Sequence, residues 1–238
     1  MAGRRLEPDV CVETGHRTGA QDLYQDAMEE VWPWRDESIV YRCVTNEFCV
    51  NTATPYCLEE LPFSLPFSMT RLAPRRLTEL IAGRRCAREA VRLLTGANVY
   101  PGMAEDRAPV WPDGVVGSIS HSANRAIAMV ARSDRCRGLG IDLERFLSES
   151  EAREIESFAL TLNERRRFGT TIDPFLIGLA FSAKESLFKA LYAIVRHRFS
   201  FDDSELVEWT QDGAVLMRMA RSLSPDFRSG REIGIRFR

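Results

Sequence analysis

Phe181-Ser182-Ala183-Lys184-Glu185-Ser186-Leu187-Phe188-Lys189-Ala190-Leu191 holds both lysines of a 238-residue chain. Of 32 lysine and arginine residues, the other thirty are arginine. Chance rarely leaves the only two lysines five positions apart. An ammonium on a flexible stem is a compact, strongly hydrated point charge that shifts its pKa readily, whereas a guanidinium is a planar fork. The stretch lies inside an apolar segment from about Pro174 to Val195 that reads as a long helix. Glu185 and Lys189, four apart, share a helical face. They form either an ordinary ion pair, worth a few tenths of a kcal/mol, or part of an anion site. Ser182-x-x-Glu185 also fits a capping box, but the apolar residues before Ser182 place it inside a helix already under way. Lys184, one residue before Glu185, points off that line.

Upstream, Leu139-Gly140-Ile141-Asp142-Leu143-Glu144 reads as a strand. Period two places the carboxylates of Asp142 and Glu144 on one face and turns Ile141 and Leu143 into a core. Two adjacent carboxylates repel unless a cation lies between them. Hard oxygen donors of this kind suit Mg²⁺, which completes its shell with water and substrate phosphate. A solvated strand end paired with Arg145 is the alternative. Before this strand, Gly114–Ser122 and Ala126–Arg132 read as a pair joined by Ala123-Asn124-Arg125. His121 ends the first of them among hydroxyls, where it makes either a structural hydrogen bond or an anion contact. Arg71–Leu94 reads as a helix with Pro74 in its first turn and Gly96 at its stop. Leu77, Leu80, Ile81, Ala87, Val91 and Leu94 line one face, and Arg84 falls near the centre of that stripe. Arg84 therefore either covers the stripe with its methylenes or reaches an anion at the core's edge.

The remaining elements are expected as follows: an irregular arm over residues 1–37 with a short helix around Gln21–Glu30, a strand near Glu47–Ala53, a turn at Pro62 and Pro66, and a helix over 149–168. Strands near Glu205–Trp209, Ala214–Ala220 and Glu232–Phe237 complete the chain. Each half then combines helices with an antiparallel sheet. The composition is that of a globular protein, with 45% hydrophobic and 28% charged residues. A net charge of −2 provides no overall field to attract nucleic acid or an anionic membrane. Six cysteines without a C-x-x-C pair argue against a zinc site or a redox dithiol, and a reducing, cytoplasmic setting is expected. Neither a secretory leader nor a membrane-spanning run is expected.

Gly140–Glu144 (GIDLE), followed about forty residues later by Phe181–Lys189 (FSAKESLFK), resembles the signature pair of the phosphopantetheinyl transferases. Ser118–Ser122 (SISHS) resembles their serine-histidine motif. Arg75–Val91 is similar to the arginine-rich helix of the subgroup serving siderophore and polyketide or nonribosomal peptide assembly. Asp106–Pro112 also fits. The resemblance covers roughly residues 70–195, with Phe181 standing where the family usually has Trp. It implies an α+β fold of two similar subdomains related by a pseudo-twofold axis, here 1–137 and 138–238, with the active site between them. It implies transfer of the 4′-phosphopantetheine arm of coenzyme A to a serine of an acyl or peptidyl carrier protein, releasing 3′,5′-ADP. Carried over by position, Asp142, Glu144 and Glu185 would hold Mg²⁺, or Mn²⁺ in its place. Arg76, Arg84, Arg107, Ser120, His121, Lys184 and Lys189 would contact coenzyme A. Glu185 and Lys189 would carry the chemistry, as base and as charge stabiliser. A monomer with an acidic carrier partner is expected, and Arg165-Arg166-Arg167 is either its docking surface or a solvated face. Two other classes use the same features: a Mg²⁺-dependent nucleotide hydrolase, and an RNA-binding module built on the arginine-rich helix.

Overall fold

The computed structural model describes residues 28–31, 40–48, 73–169 and 171–238. The turn at Pro62 and Pro66, most of the N-terminal arm, most of the strand expected near Glu47–Ala53, and Arg71 and Leu72 lie outside these residues. The fold is α+β, with helices and antiparallel sheets.

Helix α1, Pro74–Thr95, begins with Pro at its first position. There the missing N–H costs nothing and φ is already helical. It ends where Gly96 turns left-handed (φ 80°) and its N–H bonds Arg92 O at 2.8 Å. The helix packs on a four-stranded antiparallel sheet made of β1 (Glu29–Glu30), β2 (Tyr41–Glu47), β5 (Val115–Ser122) and β6 (Arg125–Arg132), in the order β1-β2-β6-β5. Leu77, Ile81, Ala87, Ala90 and Val91 of α1 meet Val44, Ala126, Ala128 and Val130 of the sheet. Small residues let helix and sheet approach closely: a Cβ on Gly83 would lie 2.7 Å from Ile119 Cγ2. Alternation sends Tyr41, Cys43, Met129 and Ala131 to the opposite face, where they bury Ile141. A small hairpin of β3 (Gly102–Met103) and β4 (Pro109–Val110) stands between α1 and β5 in sequence. The expected helix around Gln21–Glu30 is corrected where it is described, because Glu29 and Glu30 pair with Thr45 and Val44.

Three helices, α2 (Glu149–Ala159), α3 (Leu162–Phe168) and α4 (Pro174–Val195), precede a three-stranded antiparallel sheet. Its strands are β7 (Ser204–Trp209), β8 (Ala214–Met219) and β9 (Glu232–Arg236). Leu179, Ala180, Ala183, Leu187 and Leu191 of α4 form one core with Leu206, Val215, Met217 and Met219. Truncating a buried Leu or Met of this kind to Ala costs about 2–5 kcal/mol.

Two expectations need correction here. The single helix over 149–168 is broken, because Leu160 is extended (φ −110°, ψ 133°). Thr161 and Glu164 form a capping box that starts a new helix. Second, residues 139–144 are not a strand. The segment runs beside β5, but side chains replace the backbone ladder: Ser118 Oγ accepts from Ile141 N at 3.1 Å, and Ser120 Oγ from Leu143 N at 3.2 Å.

Candidate active site

One of these two hydroxyls also holds the first carboxylate. Ser120 Oγ donates to Asp142 Oδ1 at 2.9 Å. Lys189 Nζ donates to that oxygen at 2.6 Å, to Ser120 Oγ at 3.1 Å and to Ile141 O at 3.3 Å. The Asp142 side chain is 3% exposed and that of Lys189 is 25% exposed. Thus β5, the 138–144 segment and α4 meet at one point. Gly138 and Gly140 make the approach possible. A Cβ on Gly138 would lie 2.2 Å from Ala190 O, and one on Gly140 1.9 Å from Ser186 O.

Asp142 Oδ2 is buried and has no hydrogen-bond partner. The other two carboxylates lie near enough to feel the charge of Asp142. Burial, then the charge of Asp142, pushes the Glu144 carboxyl up, although Ser122 Oγ donates to it at 3.3 Å. Burial also pushes Glu185 up; Lys189 opposes this and Asp142 adds to it. Among the described residues, no three His, Cys, Asp or Glu side chains converge closely enough to hold a metal ion by themselves. The donors present are nevertheless hard oxygens, one of them orphaned, with mutual repulsion that a divalent cation would relieve. Mg²⁺ ordinarily needs only one or two carboxylates and takes substrate phosphate for the rest. The residues fit such an ion.

A second cluster adjoins the first. Glu79, with a side chain 4% exposed, accepts from Arg75 Nε at 3.0 Å and from Arg76 Nη1 at 2.9 Å. Its Oε2 lies 3.7 Å from His121 Nδ1. Burial opposes ionisation of Glu79, but Arg75, His121 and Arg76 outweigh it and its pKa falls. Burial lowers the His121 pKa; Arg76 and Lys189 act with it, Glu79 and Asp142 against it. His121 therefore stands between the two clusters, in the field of both.

Other candidate residues are placed elsewhere. Lys184 does not reach Asp142. Its Nζ is buried against Glu164 Oε2 at 2.6 Å and Ala159 O at 2.8 Å. Its side chain is 1% exposed and that of Glu164 0%. This placement runs against the expected coenzyme A contact, because a one-residue step along α4 turns Lys184 into the core while Glu185 faces the site. Breaking such a buried pair costs about 3–5 kcal/mol. Arg84 is also buried, and Nη1 donates to Pro101 O at 3.2 Å and Gly102 O at 2.6 Å. Burial lowers its pKa to about 10. Arg107 is exposed at the tip between β3 and β4, in a left-handed conformation (φ 74°). Arg167 Nη2 donates to Leu206 O at 2.7 Å, so the Arg165–Arg167 run is partly structural.

Sequence reasoning missed Glu79, Glu164, Gly138 and Gly140. Signals existed for three: Glu79 follows Arg75 and Arg76 at helical spacing, Thr161-x-x-Glu164 is a capping box, and the glycine of GIDLE marks close approach. Two family models match the chain. One, described as 4′-phosphopantetheinyl transferase N-terminal domain, matches residues 68–131. The other, 4′-phosphopantetheinyl transferase superfamily, matches residues 138–232. Enterobactin synthase component D of Escherichia coli (strain K12) is 35% identical over 166 residues, which span 68% of this chain and 77% of that one. The chain belongs to the 4′-phosphopantetheinyl transferase superfamily. The family match extends beyond the motifs to β7, β8 and most of the C-terminal core. Enterobactin synthase component D of Salmonella typhimurium is 41% identical over 118 residues, so the match spans about half of either chain (49% and 48%). The 4′-phosphopantetheinyl transferase Npt of Nocardia iowensis is 34% identical over 141 residues, 59% of this chain and 63% of that one.

Proposed function

We propose that this chain transfers the 4′-phosphopantetheine group of coenzyme A to a serine hydroxyl of an acyl or peptidyl carrier protein. The observation that carries the reading is the buried, unpartnered Asp142 Oδ2 beside Lys189 and the Ser120 hydroxyl. It is an anion-and-cation pair held ready for a metal-bound pyrophosphate. The names of the relatives favour a carrier domain of siderophore or related peptide assembly.

Asp142, Glu144 and Glu185 would hold Mg²⁺, with Mn²⁺ as a substitute. The ion would act as a Lewis acid on the pyrophosphate and ease departure of 3′,5′-ADP. The chain's own residues do the rest, since phosphoryl transfer is mostly positioning and charge stabilisation. The serine oxygen forms a bond to the phosphorus bearing pantetheine, and the bond from that phosphorus to the leaving ADP oxygen breaks. Glu185 takes the serine proton through a carboxylate oxygen that the ion leaves free. Lys189 neutralises charge developing at the transferred phosphorus. His121 and Arg76 meet a coenzyme A phosphate from the β5 and α1 side, with Arg107 approaching from the hairpin tip. The two cores, one built from chain before the 138–144 segment and one from chain after it, favour a division into subdomains 1–137 and 138–238; the pseudo-twofold relation between them is what the family resemblance implies. The reading carries a cytoplasmic monomer with it. Cys43, Cys86 and Cys136 are free thiols, as a reducing compartment favours. Among the described residues, no helix is long and apolar enough to cross a membrane.

The test mixes the protein with coenzyme A, Mg²⁺ and an apo carrier protein and reads the carrier by intact mass. A gain of one phosphopantetheine is expected, with 3′,5′-ADP released in equal amount. An unmodified carrier with coenzyme A cleaved at its pyrophosphate would refute the proposal in favour of hydrolysis.

A further inference from the structure

We propose that Lys184, through its pair with Glu164, is a positioning residue: it fixes the rotation of α4 so that Glu185 and Lys189 face Asp142. The inference rests on the transferase reading above for what Glu185 and Lys189 do.

The pair is wholly enclosed, and its hydrogen bonds reach four elements. Lys184 Nζ also donates to Ala159 O, at the last residue of α2. Glu164 Oε2 accepts from Thr161 N at 2.7 Å, at the start of α3. Glu164 Oε1 accepts from Leu206 N of β7 at 2.6 Å. A single side chain from the middle of α4 is thus tied to α2, α3 and β7. The other side of α4 is gripped differently, by the glycine backbone of 138–140 against Ser186 and Ala190. Lys184 and Ser186 are two positions apart, about 200° around a helix. Held from opposite sides, α4 cannot turn, and Glu185 lies between the two grips. Lys189 follows on the face of Glu185.

Apolar contacts alone would hold α4 with less angular precision, because hydrophobic burial is non-directional. A buried ion pair is lost if its helix turns, and fixing register is the best-attested use of such pairs. The need for lysine follows from the pocket. One nitrogen serves two oxygens at 2.6 and 2.8 Å in an enclosed space. A guanidinium brings five N–H donors, and those beyond the two oxygens would be buried unpaired. This accounts for a lysine at 184 in a chain that otherwise uses arginine.

Two variants test the proposal. Lys184→Met combined with Glu164→Gln removes both charges but keeps an amide oxygen for Leu206 N. Lys184→Arg keeps the charge and changes its shape. Folding is read by thermal midpoint, Mn²⁺ binding by calorimetry in the presence of coenzyme A, and transfer by carrier mass. The double variant is expected to fold and to bind coenzyme A alone like the wild type. Its Mn²⁺ affinity should fall roughly ten- to a hundred-fold, as for other residues that orient metal ligands. Transfer should fall at least as far. Lys184→Arg should lose Mn²⁺ affinity in the same direction. A folded double variant with wild-type Mn²⁺ affinity would assign the pair to stability alone, and so would failure of both variants to fold. The wild-type chain separates the two claims. If it binds Mn²⁺ and coenzyme A but leaves the carrier unmodified, the transferase reading fails while the Mn²⁺ comparison still judges Lys184. If it binds no Mn²⁺, both fall.

Discussion

Gly140→Ala adds one methyl group at the place where the site is assembled. The new Cβ would lie 1.9 Å from Ser186 O and 2.9 Å from Ala190 N, both backbone atoms of α4. Backbone inside a helix held on two sides cannot step aside as a flexible side chain can. The 138–144 segment must therefore lift away from α4. Overpacking of this kind costs about 1–3 kcal/mol. For a chain of this size each kcal/mol lowers the melting temperature by about 2–4 °C, so a fall of about 2–12 °C is expected. The larger effect is on chemistry. The lift stretches the 2.6 Å bond between Lys189 Nζ and Asp142 Oδ1, and a misplacement near 1 Å costs on the order of a hundred-fold in rate. Thermal melts and the carrier-mass assay, run side by side, read both quantities. Gly234→Ala is the control, since a Cβ there meets nothing within 4 Å and no positive φ is at stake. Gly140→Ala with wild-type melting and transfer would refute the claim that close approach at Gly140 builds the site.

Asp142→Ala should abolish transfer, by roughly a thousand-fold or more if it removes a metal ligand and a charge partner together. It should leave circular dichroism unchanged, because Lys189 is exposed enough to regain water; near-normal transfer in Mg²⁺ would sink the metal assignment. For Lys189→Arg a large loss of kcat is expected with a smaller change in KM for coenzyme A, because a fork cannot reproduce a point charge bonded to three oxygens; wild-type turnover would refute it. The Glu185 carboxyl is raised in the folded chain, so its contribution to stability is fully present below the ordinary Glu value of 4.5 and is lost as pH rises through the folded pKa. Glu185→Gln should therefore melt higher than the wild type at pH 7 in chelator, with the gain vanishing in acid; a variant that melts lower at pH 7 would contradict the crowding of carboxylates.

Helix α1, the β5–β6 hairpin, α4 and the three C-terminal strands were legible because each carries a strong local signal: a proline start, a period of two or a long apolar face. The site residues were picked out by a different route, their resemblance to family motifs, and the meeting of Lys189 with Asp142 and Ser120 was not foreseen. Asp142, Ser120 and Lys189 lie in motifs whose spacing within each element is short. What was hidden is which side of an element faces the site. Lys184 and Glu185 are neighbours in sequence, and the carboxylate that draws Lys184 away is Glu164, twenty residues earlier in another helix. Arg84 was correctly a charge in an apolar stripe, but its Nη1 partners are carbonyls at Pro101 and Gly102, which no pattern in α1 announces. The segment at 139–144 shows the right alternation without being a strand, because alternation reports extended backbone and is blind to whether amides meet carbonyls or serine hydroxyls.

On the proposed roles the two lysines answer to different constraints, and both constraints disfavour arginine. At 189 the ammonium bonds a carboxylate, a hydroxyl and a carbonyl within one small volume, and it remains a quarter exposed. On the proposed reading the compact charge is what matters there, because a planar head would spread over the place a transferred phosphorus would occupy. At 184 the ammonium is sealed from solvent, and donor count is what matters, because each surplus N–H would be buried without a partner. Lys184→Arg and Lys189→Arg are therefore predicted to fail in separable ways. The first should lower thermal stability and metal affinity together. The second should leave the melt nearly unchanged and act on kcat. If the two substitutions gave the same pattern, the pair would not divide into one lysine for the chemistry and one for the helix that carries it.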